Sequence, residues 1–408
     1  MEYGLIGEHL GHSFSKEIHE ALSGEEYTLR EVAPDELVDF LTKREFRGIN
    51  VTIPYKEAVL PFIDGISEEA AAIGAVNTIV NRSGKLIGYN TDYFGLKALV
   101  ARSGITFARR NVLILGAGGA AKTAEALARD LGAGSVTHAV RNPRTEGQIA
   151  IGSIDSNNVY EILINATPVG MFPNCEGRIV NLSLFHHLQG VIDLVYNPLR
   201  SNLVLDARAA AIPAEGGLLM LVAQAVRAQE IFRDITLPEG TVEEIYAKQM
   251  RARSNIVLTG MPSSGKTTLG RMLSERTGRE LIDTDEMVRK ASGRSIPEIF
   301  ATDGEMEFRR LECEAIREAS ALNSVIIATG GGAILDPANI GRLRRNGHIY
   351  LVNRDFERLT PTADRPLSQD SETLRRLFEV RRQAYLNAAD TIIDNNGSPE
   401  EAIAQFDI

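Results

Sequence analysis

Residues 255–270 read NIVLTGMPSSGKTTLG. A β-branched run leads into Gly260, and Gly265-Lys266-Thr267 follows at the spacing G-x-x-x-x-G-K-[ST], with a helical pattern after it. In a strand–loop–helix context this is a cradle for a nucleoside triphosphate. The backbone from Gly260 through Pro262, Ser263, Ser264 and Gly265 to Thr268 wraps the phosphates, Lys266 meets the β and γ oxygens, and Thr267 holds Mg²⁺. The chemistry is that of ATP phosphates. The loop alone does not name an acceptor.

A second glycine loop lies earlier, in NVLILGAGGAAKTAEAL, with Gly116, Gly118, Gly119, Ala120 and Ala121 between a strand pattern and a helix pattern. Glycines there allow a tight turn and close backbone approach to a pyrophosphate, and the helix N-terminus adds N–H groups and a favourable dipole. The next strand pattern, SVTHAV, ends at Val140-Arg141, with Arg144 nearby. An NAD site usually places an acid here for the ribose hydroxyls. Guanidinium groups suit a 2′-phosphate instead, so NADP(H) is the expected cofactor.

Four polar clusters precede that loop: GHSFS (11–15), NVTIPYK (50–56), GAVNT (74–78) and GYNTDYFG (88–95). Each sets hydroxyl, amide or ionisable groups beside Gly or Pro, a composition that suits a small polyhydroxylated ligand. Taken in order with GAGGA, NATPVGM (165–171), DLVYNP (193–198) and GLLMLVAQA (217–225), they resemble shikimate dehydrogenase over residues 1–250. The resemblance implies that Ser13 and Ser15 hold the substrate carboxylate and that Thr52, Asn77 and Gln224 bond its hydroxyls. It implies Lys56 and Asp92 as the catalytic pair, and adds Thr167, Met171 and Gly217 to the cofactor site. The chemistry agrees: hydride addition to a ketone leaves an alkoxide, and an ammonium group placed by a carboxylate can polarise the carbonyl and deliver the proton. The sequence departs from the family at three places. Only the arginine of Asn-Arg-Thr survives, in Val140-Arg141-Asn142. Too few residues separate Arg141 from the strand pattern EILINAT for a full crossover helix. Ser201 stands where the family usually has Thr.

After the phosphate loop come LIDTDEMV (281–288), SIPEIFATDGEMEFRRLE (295–312), VIIATGGGAIL (325–335), RLTPTADRPL (358–367) and VRRQAY (380–385). This ordered set resembles shikimate kinase over 254–408. The resemblance implies that Asp285, Arg309, Arg381 and the backbone of Gly330, Gly331 and Gly332 bind shikimate. The two arginines would pair fork-to-fork with its carboxylate, and Asp285 would deprotonate the accepting hydroxyl. Asp283 would support Mg²⁺ beside Thr267, Arg365 would close over the transferring phosphoryl group, and Arg358 would lie over the adenine.

The elements that must position these groups alternate between apolar strand runs and helical patterns, which argues for parallel α/β layers. A Pro-Glu-Gly turn at 238–240 and a short polar helix pattern precede the strand that starts at Asn255, so the boundary is expected at 251–254. The expected fold class is α/β: an α/β substrate domain (1–104, completed by returning helices within 217–253), a Rossmann NADP-binding domain (105–216), and a P-loop kinase domain with a parallel sheet flanked by helices (254–408). Net charge is −10 over 408 residues, of which 1–253 carry 24 basic and 30 acidic side chains and 254–408 carry 20 and 24. With both parts acidic and no basic block, nucleic acid is not an expected partner. Two distant cysteines, Cys175 and Cys313, fit a reducing compartment. The N-terminal residues show no secretory leader pattern and no apolar run is long enough to span a bilayer, so a cytoplasmic protein without a membrane partner is expected. The two parts together predict consecutive steps: NADPH-dependent reduction of 3-dehydroshikimate to shikimate, then ATP-dependent phosphorylation of shikimate. The alternatives are a first part that also oxidises quinate, or one part kept as an inactive regulatory module. The oligomeric state is not legible.

Overall fold

The computed structural model describes residues 1–11, 13–361 and 370–408. The chain divides into two compact units, Met1–Gln249 and Met250–Ile408.

The first unit is built on two six-stranded sheets. Strands β1 (Tyr3–Gly7), β2 (Thr28–Glu31), β3 (Gly48–Val51), β4 (Gly65–Ile66), β5 (Thr78–Arg82) and β6 (Lys85–Tyr89) form a mixed sheet in the order β2-β1-β3-β5-β6-β4. The β5–β6 hairpin closes through Ser83 and Gly84, both at positive φ, the backbone that a tight two-residue hairpin demands. Strands β7 (Asn111–Leu115), β8 (Ser135–Val140), β9 (Gln148–Ala150), β10 (Ile162–Asn165), β11 (Gly190–Asp193) and β12 (Ala214–Glu215) form an all-parallel sheet, ordered β12-β11-β10-β7-β8-β9.

The continuous apolar run of β7 is what a strand buried on both faces requires. Val112 and Ile114 enter one core with Leu96, Leu99 and Leu127, while Leu113 and Leu115 enter the opposite core with Leu163, Phe185 and Val204. Because β7 sits between β10 and β8, the chain leaves it in both directions. A crevice therefore opens at its C-terminal end, which is where Gly116 begins. Between β8 and β10 the chain makes a short strand and a 3-10 turn, Ile151–Ser153, instead of a helix. The short connection suffices because β9 pairs only with residues 138–140, so the loop need return by no more than a few residues.

Helix Leu218–Arg233 returns to the first sheet and covers it with Phe232, which packs with Tyr3, Leu5 and Tyr27. It crosses helix Thr91–Ser103 at Gly95, where a Cβ would stand 2.5 Å from the Met220 carbonyl and 3.1 Å from the Gln224 Cβ. This small residue lets the two backbones close up and sets Gln224 beside Thr91. Helix Thr241–Arg253 follows the Pro-Glu-Gly turn, and the boundary between the units falls within it, about one turn before the break at 251–254 expected from sequence.

The second unit carries one parallel sheet: β13 (Asn255–Thr259), β14 (Leu281–Asp283), β15 (Ile326–Ala328), β16 (Gly347–Asn353) and β17 (Thr391–Asp394), ordered β14-β15-β13-β16-β17. The pattern of the other parallel sheet repeats. Ile256 and Leu258 pack on one side, Val257 on the other, and the central strand runs straight into the glycine loop. No helix among the described residues is long and apolar enough to cross a membrane.

Candidate active sites

In the first unit, Lys56 follows β3 in a turn, and its carbonyl accepts from Val76 N at 2.8 Å, which pins the turn to the GAVNT segment. Asp92 lies in the first turn of helix Thr91–Ser103, whose N-cap Asn90 accepts from Tyr93 N. These two anchorages bring Lys56 Nζ to 2.5 Å from Asp92 Oδ2, with side chains only 17% and 10% exposed. The pair also faces the glycine loop: a Cβ on Gly119 would lie 3.4 Å from Lys56 Cδ. Lys56 and the glycine loop therefore share one site.

Around this pair, Asn77 is buried and its Oδ1 accepts from Thr91 N (2.7 Å), Thr91 Oγ1 and Thr78 Oγ1. The saturated carbonyl fixes the amide's orientation and leaves Nδ2 as the group that can donate to a ligand. Gln224 is tied to Thr91 Oγ1 at 3.3 Å. Thr52 N donates to the Ile6 carbonyl, and the methyl of Thr52 packs on Gly7, where a Cβ would stand 2.6 Å from it. Ser13 Oγ donates to Ser15 Oγ (3.1 Å) and accepts from Ser15 N at the start of helix Ser15–Ser23.

A cavity of about 870 Å³ joins Thr52 and Lys56 to Gly116, Gly118 and Thr167, with Arg141 on its far wall. Gly118 faces open space, so its surroundings leave room for a phosphate against the helix N-terminus. Among the described residues, neither the Arg141 nor the Arg144 side chain makes a hydrogen bond or ion pair. The residues present therefore fit NADP(H). Gly119 and Ala120 also line this cavity, whereas Ala121, Arg144, Met171 and Gly217 do not. Ala121 is buried beneath the loop, and Gly217 packs on the Leu194 carbonyl at the start of its helix.

Sequence reading missed two supports of this cavity. At the ends of β10 and β11, Asp193 accepts from Asn165 Nδ2 (2.9 Å), Val195 N (3.0 Å) and Ser201 Oγ (2.5 Å), which ties together the loops that follow both strands. Burial pushes the Asp193 carboxyl up to about 6 despite those donors. The other support is His138 on β8, whose Nδ1 lies 2.8 Å from the Gly116 carbonyl. The motifs NATP and DLVYNP marked the first, but nothing in the spacing of SVTHAV marked the second.

In the second unit, Gly260 and Gly265 have φ of 146° and 99°, and a Cβ on Gly265 would stand 2.5 Å from Asn395 Nδ2. Ser263 takes a left-handed φ of 63°, a conformation L-residues adopt only when the surroundings compensate. Here Ser263 Oγ donates to the Thr360 carbonyl at 2.6 Å and Asn395 Nδ2 donates to the Ser264 carbonyl at 2.7 Å. Pro262 lies against Gly331. Lys266, buried, donates to the Gly260 and Met261 carbonyls, both at 2.9 Å. Thr267 Oγ1 and Asp283 Oδ2 converge to 3.4 Å, an oxygen pair that fits a hard cation bound mainly by phosphate and water. Thr267, Asp283 and Asp285 line one cavity of about 750 Å³.

Asp283 caps helix Thr284–Ser292 through Oδ1, which accepts from Asp285 N and Glu286 N, and this aims Asp285 at the glycine loop after β15. A Cβ on Gly330 would stand 2.7 Å from both Asp285 Oδ1 and Glu312 Oε1. The Arg309 guanidinium lies against Gly332, closer than any Cβ would permit. Arg381 Nη1 donates to the Gly331 carbonyl at 3.1 Å, and Tyr385 donates to the same oxygen. Asp285, Arg309, Arg381 and the three glycines thus form one cluster. Glu312, which sequence reading passed over, holds Arg309 at 2.7 Å with only 2% exposure. Its carboxyl is held above the ordinary range because burial outweighs the attraction of Arg309. Its spacing of three from Arg309 in FRRLE was the available signal. Arg358 donates to the Asn396 carbonyl. Thr268 lies in the first turn of helix Lys266–Thr277. Arg365 lies outside the described residues.

Residues 5–79 match the family model for the shikimate dehydrogenase substrate binding domain, and residues 262–406 match that for shikimate kinase. The chain is 37% identical over 261 residues to shikimate dehydrogenase (NADP(+)) of Clostridium perfringens, covering 60% of this chain and 96% of that protein. Shikimate dehydrogenase 1 of Peptoclostridium difficile superposes with a TM-score of 0.58 at 33% identity, covering 61% of this chain and 98% of the other. Shikimate 5-dehydrogenase of Thermus thermophilus, solved in complex with NADP(H) and shikimate, gives 0.54 at 30% identity, covering 61% and 99%.

Proposed function

From the premise that this chain belongs to the shikimate dehydrogenase family through its first 60% and carries a shikimate kinase unit after it, we propose that it reduces 3-dehydroshikimate with NADPH and then phosphorylates the product, shikimate, with ATP. In this reading residues 1–104, with helices from 217–253, bind the substrate, 105–216 bind NADPH, and 254–408 transfer the phosphoryl group.

The observation that carries the first half is the Lys56–Asp92 pair set against Gly119. NADPH supplies the hydride when bound at the glycine loop. Asp92 holds the Lys56 ammonium ion toward the substrate carbonyl, and Lys56 gives its proton to the oxygen as negative charge develops. Ser13 and Ser15 take the carboxylate, while Thr52, Asn77 Nδ2 and Gln224 take hydroxyls. Arg141 faces the 2′-phosphate with Arg144 as the alternative cation for it, and Met171 and Gly217 support the cofactor loops from outside the cavity.

In the second half, Arg309 and Arg381 bind the shikimate carboxylate against glycines 330–332. Asp285 accepts the proton of the attacking hydroxyl, and Lys266 moves from its loop carbonyls to the phosphate oxygens. Mg²⁺ held by Thr267, with Asp283 behind it, would offset phosphate charge. Arg358 flanks the adenine and Arg365 completes the site.

A coupled assay tests the whole reading. With 3-dehydroshikimate, NADPH, ATP and Mg²⁺ supplied, shikimate 3-phosphate should appear, and omission of NADPH should abolish it unless shikimate is added. Failure of the kinase half on added shikimate would overturn the second assignment, and failure of NADPH oxidation the first. Quinate supplied with NADP⁺ in a parallel assay measures how widely the first site accepts related rings.

A further inference from the structure

His138 stands in the middle of β8, opposite Ile114 of β7, with its side chain 14% exposed. Its ring spans two acceptors. Nδ1 lies 2.8 Å from the Gly116 carbonyl oxygen, and Nε2 lies 2.9 Å from Glu125 Oε2 on helix Gly119–Asp130. A carbonyl oxygen can only accept, so Nδ1 must carry a proton. Glu125 is held as a carboxylate by the Arg129 guanidinium, 2.7 Å from its Oε1, and a carboxylate oxygen accepts from an Nε2–H. A neutral imidazole has one N–H and one lone pair, and cannot satisfy both contacts.

We propose that His138 is an imidazolium ion that positions the dinucleotide loop, clamping the Gly116 carbonyl to the helix through Glu125, so that NADPH binding weakens when the ring cannot donate from both nitrogens. His138 does not line the cofactor cavity. It acts on the loop from behind, at the residue where the backbone turns with φ of 113°. A carbonyl released here would be free to rotate, and the N–H groups that follow it in the loop would lose their shared aim at the pyrophosphate. The ring also sets a positive charge behind the phosphate-binding turn. The charged groups facing it are Glu125 on the helix and Arg129, bonded to that same carboxylate at 2.7 Å. Its strand neighbours Ile114 and Gln148 bring no charge.

The inference rests on the reading of the glycine loop as the NADPH site, and the tests separate the two. The first uses the full chain without cofactor. Nitrogen-15 NMR of wild type, with the His138→Asn spectrum identifying the resonance, should show both ring nitrogens protonated at neutral pH. A neutral tautomer would overturn the proposal whatever the loop binds. The second measures NADPH affinity by fluorescence in wild type, His138→Asn and His138→Leu. NADH serves as a control without the 2′-phosphate. His138→Asn keeps a donor near the Nδ1 position and should bind both dinucleotides more tightly than His138→Leu. His138→Leu should bind both about tenfold more weakly than wild type, the worth of one charge-assisted hydrogen bond. Wild type that binds no dinucleotide would sink the site reading. His138→Leu that binds both as tightly as wild type would sink the role of His138.

Discussion

The two glycine loops of this chain start from one plan and end in different states. Each follows the central strand of a parallel sheet and opens a helix, so each offers N–H groups and a helix dipole at a crevice. The first is propped from outside: His138 holds its carbonyl, Gly118 faces open space, and no lysine lies within the turn. The second closes on itself, with Ser263 in a left-handed conformation and Lys266 bonded to the carbonyls of its own loop. In the proposed function the difference follows from what the phosphates do. A pyrophosphate that only anchors a hydride carrier needs a fixed surface. A triphosphate whose terminal group departs needs charge that tracks the transferring oxygens, and a lysine that can exchange its resting partners for phosphate supplies it.

The strongest way to break the comparison is to remove the lysine that the proposed reduction uses as proton donor, which lies outside the first loop. Lys56→Ala should lower kcat for ketone reduction by about 10²–10⁴, the usual contribution of a positioned acid, while kinase turnover on added shikimate stays at the wild-type value. Steady-state assays of the full chain read both at once. Retained reduction would show that Lys56 does not serve the first loop. Lys266→Ala is the reciprocal experiment. It should lower kinase kcat by about 10²–10³, the scale for loss of one preorganised donor, and leave NADPH oxidation untouched.

The two units should also differ in response to acid. Six of the seven histidines belong to the first unit. Among them His19 is fully buried, stacked on Tyr27 at 4.1 Å and bonded to Gln229 at 2.8 Å, and burial lowers its pKa to about 3. The folded value lies below the unfolded one, so the stability it brings is complete above about pH 6.5. It is lost as pH falls toward 3, because the unfolded chain then binds a proton the fold refuses. By pH 5 this amounts to about 2 kcal/mol. His19→Phe keeps the stack and cannot ionise. Urea midpoints followed by hydrogen exchange of peptides from residues 1–89 in the full chain should favour wild type at pH 8, where Gln229 keeps its partner. That advantage should shrink or reverse by pH 5. Taking the difference between the two proteins cancels other groups, including Asp193. A pH-independent difference would mean that His19 does not titrate in the unfolded range. Peptides from residues 255–353 should show no effect.

Much of this was legible because it is local. A strand run followed by glycines at fixed spacing names both loops, and the ends of β7 and β13 fall where those runs end. Arg309, Arg381 and Asp285 were legible as members of ordered motifs, and the structure gathers them. What could not be read depends on which surfaces meet. Gly95 looks like an ordinary helix weakness until helix Leu218–Arg233 crosses it. Glu312 looks like one of many helix carboxylates until its burial under Gly330 is known. His138 reads as a β-strand residue until β8 is laid beside β7 and the ring reaches back to Gly116. The missing crossover helix after Val140 was legible by counting residues, but the short parallel strand in its place was not.

The smallest expected effect concerns that thin wall. Arg141 and Arg144 were both candidates for the 2′-phosphate, and the structure separates them: Arg141 lines the cofactor cavity, whereas Arg144 does not, and its backbone N–H is bonded to Gln148 at 2.9 Å. Neither guanidinium has a partner among the described residues, so position decides. An Arg–phosphate contact at an open site is worth about one charge-assisted hydrogen bond, or roughly tenfold in affinity. Arg141→Ala should therefore raise KM for NADPH about tenfold, leave KM for NADH nearly unchanged, and leave kcat with saturating NADPH close to wild type. Arg144→Ala should move both KM values less than about twofold, as expected for a solvated charge at a distance beyond a few ångströms of water. The selective loss should also fade as salt is raised, because an exposed guanidinium–phosphate pair is screened and the backbone of the glycine loop is not. If instead Arg144→Ala carries the selective loss, the loop after β8 closes over the cofactor when it binds. The first glycine site would then share with the second a cation that moves to its phosphate, and the contrast between a fixed loop and a responsive one would fail at that point.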